Sequence, residues 1–130
     1  MRIKLLLLRS PILLVGLMLL NTCLCCLPTC TVRSPLRFSP EQLPNGRIGE
    51  MYHVEIQPTN AQTPVFSFWI PPEDLPEGLT FNWDYGMPTG ILEGIPEEAG
   101  TFTLNVSAMC QGTNISGQTG NITYTLEIEE

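Results

Sequence analysis

From Tyr52 onward, apolar and polar side chains alternate with a period of two. Tyr52, Val54 and Ile56 are separated by His53 and Glu55, which puts the three apolar residues on one face of an extended strand. The same alternation recurs at Phe66, Phe68, Ile70; at Leu79, Phe81; at Phe102, Leu104, Val106, Ala108; and at Ile122, Tyr124, Leu126, Ile128. A short edge strand is expected near Leu36 to Phe38. Between these runs lie Pro58 to Thr63, Pro71-Pro72, Pro76 to Gly78, Gly86 to Gly90, Gly94 to Gly100 and Gly112 to Gly120, all rich in turn formers. Half-polar strands at such intervals predict an all-β fold: an immunoglobulin-like antiparallel β-sandwich of about seven strands, its two sheets burying their apolar faces against each other. The Cys-Trp-Cys spacing of antibody domains is absent, so the prediction rests on the strand pattern alone.

The first part of the chain follows a different pattern. Arg2 and Lys4 precede Leu5 to Leu8, and after Arg9, Ser10 and Pro11 a second apolar run extends from Ile12 to Leu20. A basic start followed by a hydrophobic stretch is the plan of an export signal, and the run falls short of the roughly 20 apolar residues of a spanning helix. The expected organisation is a signal segment at 1–22, a Cys/Pro-rich tether at 23–35 and one sandwich domain at 36–130. Leu20-Asn21-Thr22-Cys23 resembles the lipobox of bacterial lipoproteins, which implies lipidation at Cys23. Plain secretion and an uncleaved signal anchor are the alternatives, and both still export the domain, because the cations precede the apolar run.

Charge narrows the partner. The chain has 6 Lys or Arg against 13 Asp or Glu, a net charge of −7, and no acid precedes Glu41. A domain this acidic is not a nucleic-acid binder. Its 12 Pro and 11 Gly also argue against a helical bundle. The cysteines, Cys23, Cys25, Cys26, Cys30 and Cys110, lack the paired spacings of a zinc site. In an exported chain Cys110 is either a disulfide partner, most simply of Cys30, or a small buried hydrophobe.

Four stretches in order carry a family resemblance. Leu43-Pro44-Asn45-Gly46-Arg47-Ile48-Gly49-Glu50-Met51-Tyr52, Leu75-Pro76-Glu77-Gly78-Leu79, Thr89-Gly90-Ile91-Leu92-Glu93-Gly94-Ile95-Pro96 and Gly100-Thr101-Phe102-Thr103-Leu104-Asn105-Val106-Ser107-Ala108 resemble the motifs of the Ig-like, cadherin-like domain family of bacterial surface proteins. The resemblance covers about Leu43 to Ile128. It implies a sandwich scaffold, and in cadherin-like relatives an Asp after the last long strand ligates calcium. Cys110 stands at that position, and a thiol is a poor ligand for a hard cation. Glu73, Asp74 and Glu77 are the remaining calcium candidates, and no cofactor is expected.

Other candidates come from the residues themselves. Trp69 has the outward phase of its strand, and Trp83 and Tyr85 lie in the Asn82 to Pro88 connection beside Asp84. Aromatic faces flanked by carboxylates or amides suit sugar or peptide recognition, whereas rings covering the open end of the sandwich would be plain packing. The single histidine, His53, is mid-strand and outward, and no nucleophile or metalloprotease motif is present, so a non-catalytic protein is expected. Sequons at Asn105, Asn114 and Asn121 are accounted for by the abundance of Asn, Ser and Thr on outward strand faces. The expectation is an exported, membrane-anchored lipoprotein in the periplasm or at the cell surface, or else secreted. It presents a binding or assembly module to an envelope protein or a glycan. A carbohydrate-binding module using Trp69, Trp83 and Tyr85 and a calcium-dependent adhesion domain are the alternatives.

Overall fold

Eight strands build two sheets in the computed structural model, which describes residues 33–130. The expected signal segment at 1–22, Cys23 and Cys30 lie outside the described residues. One sheet has the order β1 (Phe38–Ser39), β3 (Tyr52–Pro58), β6 (Gly90–Gly94), β5 (Leu79–Asn82). The other runs β2 (Gly46–Arg47), β8 (Thr119–Glu129), β7 (Gly100–Cys110), β4 (Val65–Trp69). With the first strand divided between the sheets, this is the arrangement of an immunoglobulin-like sandwich. The pairings are antiparallel, as expected of the sandwich, except that β2 pairs with β8 in parallel.

The inward phase follows the alternation. Tyr52 and Ile56 of β3, Leu92 of β6, Leu104, Val106 and Ala108 of β7, and Tyr124, Leu126 and Ile128 of β8 form one buried core. The Phe66, Phe68, Ile70 set is the exception. Val65 opposes Cys110 and Ser67 opposes Met109, so Phe66 is the extra residue of a bulge; it is 39% exposed while Val65 and Phe68 point inward.

Two recognised turns meet through glycine. Gly78 has φ +89° and Gly94 φ +142°, and a Cβ on Gly94 would lie 2.0 Å from the Gly78 carbonyl oxygen. That oxygen accepts the Ile95 N–H, so the two turns are in direct backbone contact. Pro96, just beyond, is fully buried.

The segment that crosses from β1 to β2 is fixed from both sheets. Tyr124 of β8 donates its hydroxyl to the Pro40 carbonyl at 2.6 Å, and Tyr52 of β3 donates to the Pro44 carbonyl at 2.9 Å. Burial holds both phenols up to about 12. Leu43 between these anchors is itself buried.

At the opposite pole a buried amide closes the fold. Gln118 is 2% exposed; its Oε1 accepts the Gln62 N–H, and its Nε2 donates to the carbonyls of Ser34 and Asn60. Asn60 in turn donates to the Pro35 carbonyl, so residues 34 and 35 are hydrogen-bonded to the domain.

Candidate functional site

The three aromatic candidates separate. Trp83 is half-buried, packs its ring edge-on against Phe68 with centroids 6.4 Å apart, and donates its indole N–H to the Met87 carbonyl at 2.8 Å. Tyr85 is 71% exposed, and its hydroxyl accepts from the Gln111 side chain at 2.7 Å. The Trp83 and Tyr85 rings are tilted by 60°, and Trp69 forms no aromatic pair with either among the described residues. Trp83 therefore packs against the core while Trp69 stands alone on a sheet face, 50% exposed.

The calcium candidates also separate. Asp74 ends a 3-10 turn, Pro72–Asp74, and its Oδ2 accepts both the backbone N–H of Asn105 at 3.1 Å and the Asn105 side-chain amide at 2.9 Å. Pro71 and Pro72 have no N–H with which to continue β4, so this carboxylate gives the β7 backbone a partner where the neighbouring strand has ended. Glu73 and Glu77 are exposed, and no cluster of three or more His, Cys, Asp or Glu with metal-holding geometry occurs among the described residues. Cys110 turns its thiol into the core. Burial pushes that thiol up, against the smaller opposing effects of the Arg33 charge and a hydrogen bond with Thr63.

What the register assembles instead is an uncharged polar surface. On the outer face of the β2-β8-β7-β4 sheet, β7 presents Thr101, Thr103, Asn105 and Ser107, and β8 presents Thr119, Asn121, Thr123 and Thr125; the rows end on Met109 of β7 and on Glu127 and Glu129 of β8. The pairing sets Trp69 beside Ser107 and Ser107 beside Asn121. One row over, Thr123 donates its hydroxyl to Asn105 Oδ1 at 3.0 Å while Asn105 Nδ2 donates to Asp74. The Asn105 amide is thereby held in one orientation. On the β8 side the face runs into a groove of about 410 Å³ lined by Glu41, Gln42, Leu43, Thr123, Thr125 and Glu127. Its far wall is the crossing segment that Tyr52 and Tyr124 hold in place.

None of these eight residues is charged, and charge enters the face only at its end, with Glu127 and Glu129 of β8 and Arg47 of β2. The smaller hollow nearby, about 200 Å³, is different in kind. There Arg47 lies between Glu50 and Glu129, at 3.8 and 3.4 Å, and hydrogen bonds from Asn45 and Arg47 hold the Glu129 carboxyl below its usual range. Its one cation is already paired. On the other sheet His53 is exposed and 3.2 Å from Glu93, with no nucleophile among its hydrogen-bond partners.

No protein-family model matches the chain, and no curated protein does. Among solved structures the chain is similar to the SrpA adhesin from Streptococcus sanguinis, with a TM-score of 0.57 at 15% identity, covering 74% of this chain and 57% of that one. A point mutant of the same adhesin gives a TM-score of 0.53 at 16% identity, covering 74% and 56%. The chain thus spans a little over half the length of these adhesin chains. At such identities the likeness establishes the all-β sandwich and nothing further.

Proposed function

We propose that this is an exported, non-catalytic binding module of the bacterial envelope, anchored through Cys23 and presenting the outer face of the β2-β8-β7-β4 sheet to its partner. The observation that carries the reading is that face: eight neutral hydroxyl and amide side chains in register, with Trp69 on the adjoining strand and the acids of β8, Glu127 and Glu129, confined to its end. Such a surface offers directed hydrogen bonds without a group to transfer protons or attack a substrate. The fold shared with an adhesin and the basic-then-apolar leader support the same reading. The four sequence motifs favour the bacterial Ig-like, cadherin-like family as its source.

The test is fractionation of the full chain, native and Cys23→Ser, with the mass of the mature N-terminus. The native chain is expected in the detergent phase, beginning at a lipid-modified Cys23, with the domain open to protease added outside the cytoplasmic membrane. The variant is expected to be released or left unprocessed. A mature N-terminus beyond Cys23 would remove the lipid anchor, and a domain protected in the cytoplasm would overturn the whole reading.

A further inference from the structure

We propose that the ligand of this face is a neutral glycan, lying across β4, β7 and β8 with one sugar stacked on Trp69 and the chain running into the groove beside Thr125. The inference rests on the reading above, that the sheet face is the binding surface, and names its ligand class.

Three features select the chemistry. The face is rich in groups that both donate and accept, the hydroxyls of Thr101, Thr103, Ser107, Thr119 and Thr125 and the amide of Asn121, and a polyhydroxylated ligand is the natural complement of such groups. A protein partner would need a desolvated apolar centre, and the one outward apolar side chain of the β7 and β8 rows, Met109, stands at the end of β7 and not at the middle of the face. Trp69 does present an exposed ring, whose apolar plane suits the C–H face of a sugar as its edge suits hydrogen bonding nearby.

Charge then selects within the class. Glu41 and Glu127 line the groove and no cation does, so sialylated, sulfated or phosphorylated chains meet like charge there. The cation of this sheet, Arg47 of β2, is already paired with Glu50 and Glu129 and so has little to offer them. The groove, about 410 Å³, lies within the roughly 300–1,000 Å³ usual for small-molecule sites. Trp69 is two strands from β8, a separation of roughly 10 Å, so an oligosaccharide spans the site and a monosaccharide does not. Pre-orientation of Asn105 by Asp74 and Thr123 reduces the ordering cost of binding.

The experiment uses the full chain in detergent on an array of neutral and anionic glycans, followed by titration with the strongest neutral oligosaccharide. Retention of neutral chains over anionic ones is expected, with affinity insensitive to salt. Trp69→Ala should weaken binding by about tenfold, and the near-isosteric Thr125→Val by about fivefold. Tyr85→Ala, whose hydroxyl is held by Gln111 beyond the end of β7, should leave binding unchanged. Thermal melts of each variant show whether a loss reflects unfolding. Trp69 and Thr125 are both exposed, so melts close to the native chain's are expected. No neutral glycan retained, anionic chains preferred, or a loss on Tyr85→Ala without one on Trp69→Ala would each overturn the proposal. A null array from a chain that fractionates as expected removes the glycan and leaves the envelope module standing, whereas mislocalisation removes both.

Discussion

The two outer faces of the sandwich are built from the same strand pattern and differ in the chemistry at their centres. On the β1-β3-β6-β5 sheet, Glu93 sits mid-face, where it accepts from the Asn82 amide at 3.0 Å and lies 3.2 Å from His53 across the register. On the β2-β8-β7-β4 sheet the comparable carboxylate, Asp74, is at the margin and accepts from the β7 backbone, so the centre of that face stays neutral. Inward positions are alike in both sheets because one core demands it. The outward positions are free of that demand, and there the difference between the faces points to function.

The sharpest way to break the comparison is to show that the faces do not share one core. Leu104 is fully buried on β7 and Thr103, its neighbour, is outward. Leu104→Ala should therefore cost about 2–5 kcal/mol by denaturant titration and Thr103→Ala less than about 0.5. Similar losses at the two positions would mean that the inward and outward phases have been exchanged.

The next largest effect belongs to the tyrosines that reach the crossing segment, one from each sheet. Their phenols, raised by burial from 10.0 to about 12, stay protonated in the native state while those of the unfolded chain ionise. Stability is full below pH 10 and falls as pH rises toward 12, because the unfolded state then binds fewer protons than the native one. Cys110, also raised by burial from an ordinary value of 9.0, contributes with the same sign from a lower pH. Melts of Tyr52→Phe and Tyr124→Phe should each show a shallower alkaline decline than the native chain. If the declines match, burial of these phenols does not set the alkaline limit.

Much of the fold was legible because a period of two survives wherever a strand is long and half-buried, as in β7 and β8. It was not legible at Phe66, since a bulge shifts phase by one residue within a mostly apolar run, nor at β2, where two residues show no period; the edge strand expected near Leu36 to Phe38 was found, as β1. The parallel pairing of β2 with β8 joins residues some 80 positions apart and leaves no local trace. Gln118 lies in a stretch that reads as turn formers, and only the convergence of Gln62, Ser34 and Asn60 explains its burial. The outward phase of Trp69 was readable and Trp83 was open between packing and binding, because a loop aromatic has no period to orient it. The neutral face is present in the sequence as Thr and Asn residues, but it becomes a surface only when register sets β7 beside β8.

Asp74 tests why one face stays neutral. Asp74→Ala removes the acceptor from the Asn105 N–H, a strand donor with no strand beside it, and should cost about 1–2 kcal/mol. It also releases the Asn105 amide, so the loss of glycan affinity should exceed that of Thr101→Ala at the far end of the face. Asp74→Asn keeps an acceptor and should recover about half of the lost stability. Equal stability in all three chains would mean that water satisfies this backbone as well as the carboxylate does.

Glu93→Gln is the smallest change and the direct counterpart of Asp74→Asn. Glu93 and His53 are 40% and 51% exposed, and the partners of the Glu93 carboxylate are side chains that water can also serve. An exposed pair of this kind contributes from nothing to about 1 kcal/mol, and an amide preserves the contact with Asn82, so the expected loss is below about 0.5 kcal/mol. The physical distinction is between a carboxylate that completes the backbone of a strand and one that only links mobile side chains. Denaturant titrations of Glu93→Gln and Asp74→Asn in one buffer decide it. If Glu93→Gln costs as much as Asp74→Asn, the two carboxylates are equivalent surface pairs, and the neutrality of the β7–β8 face loses its structural explanation.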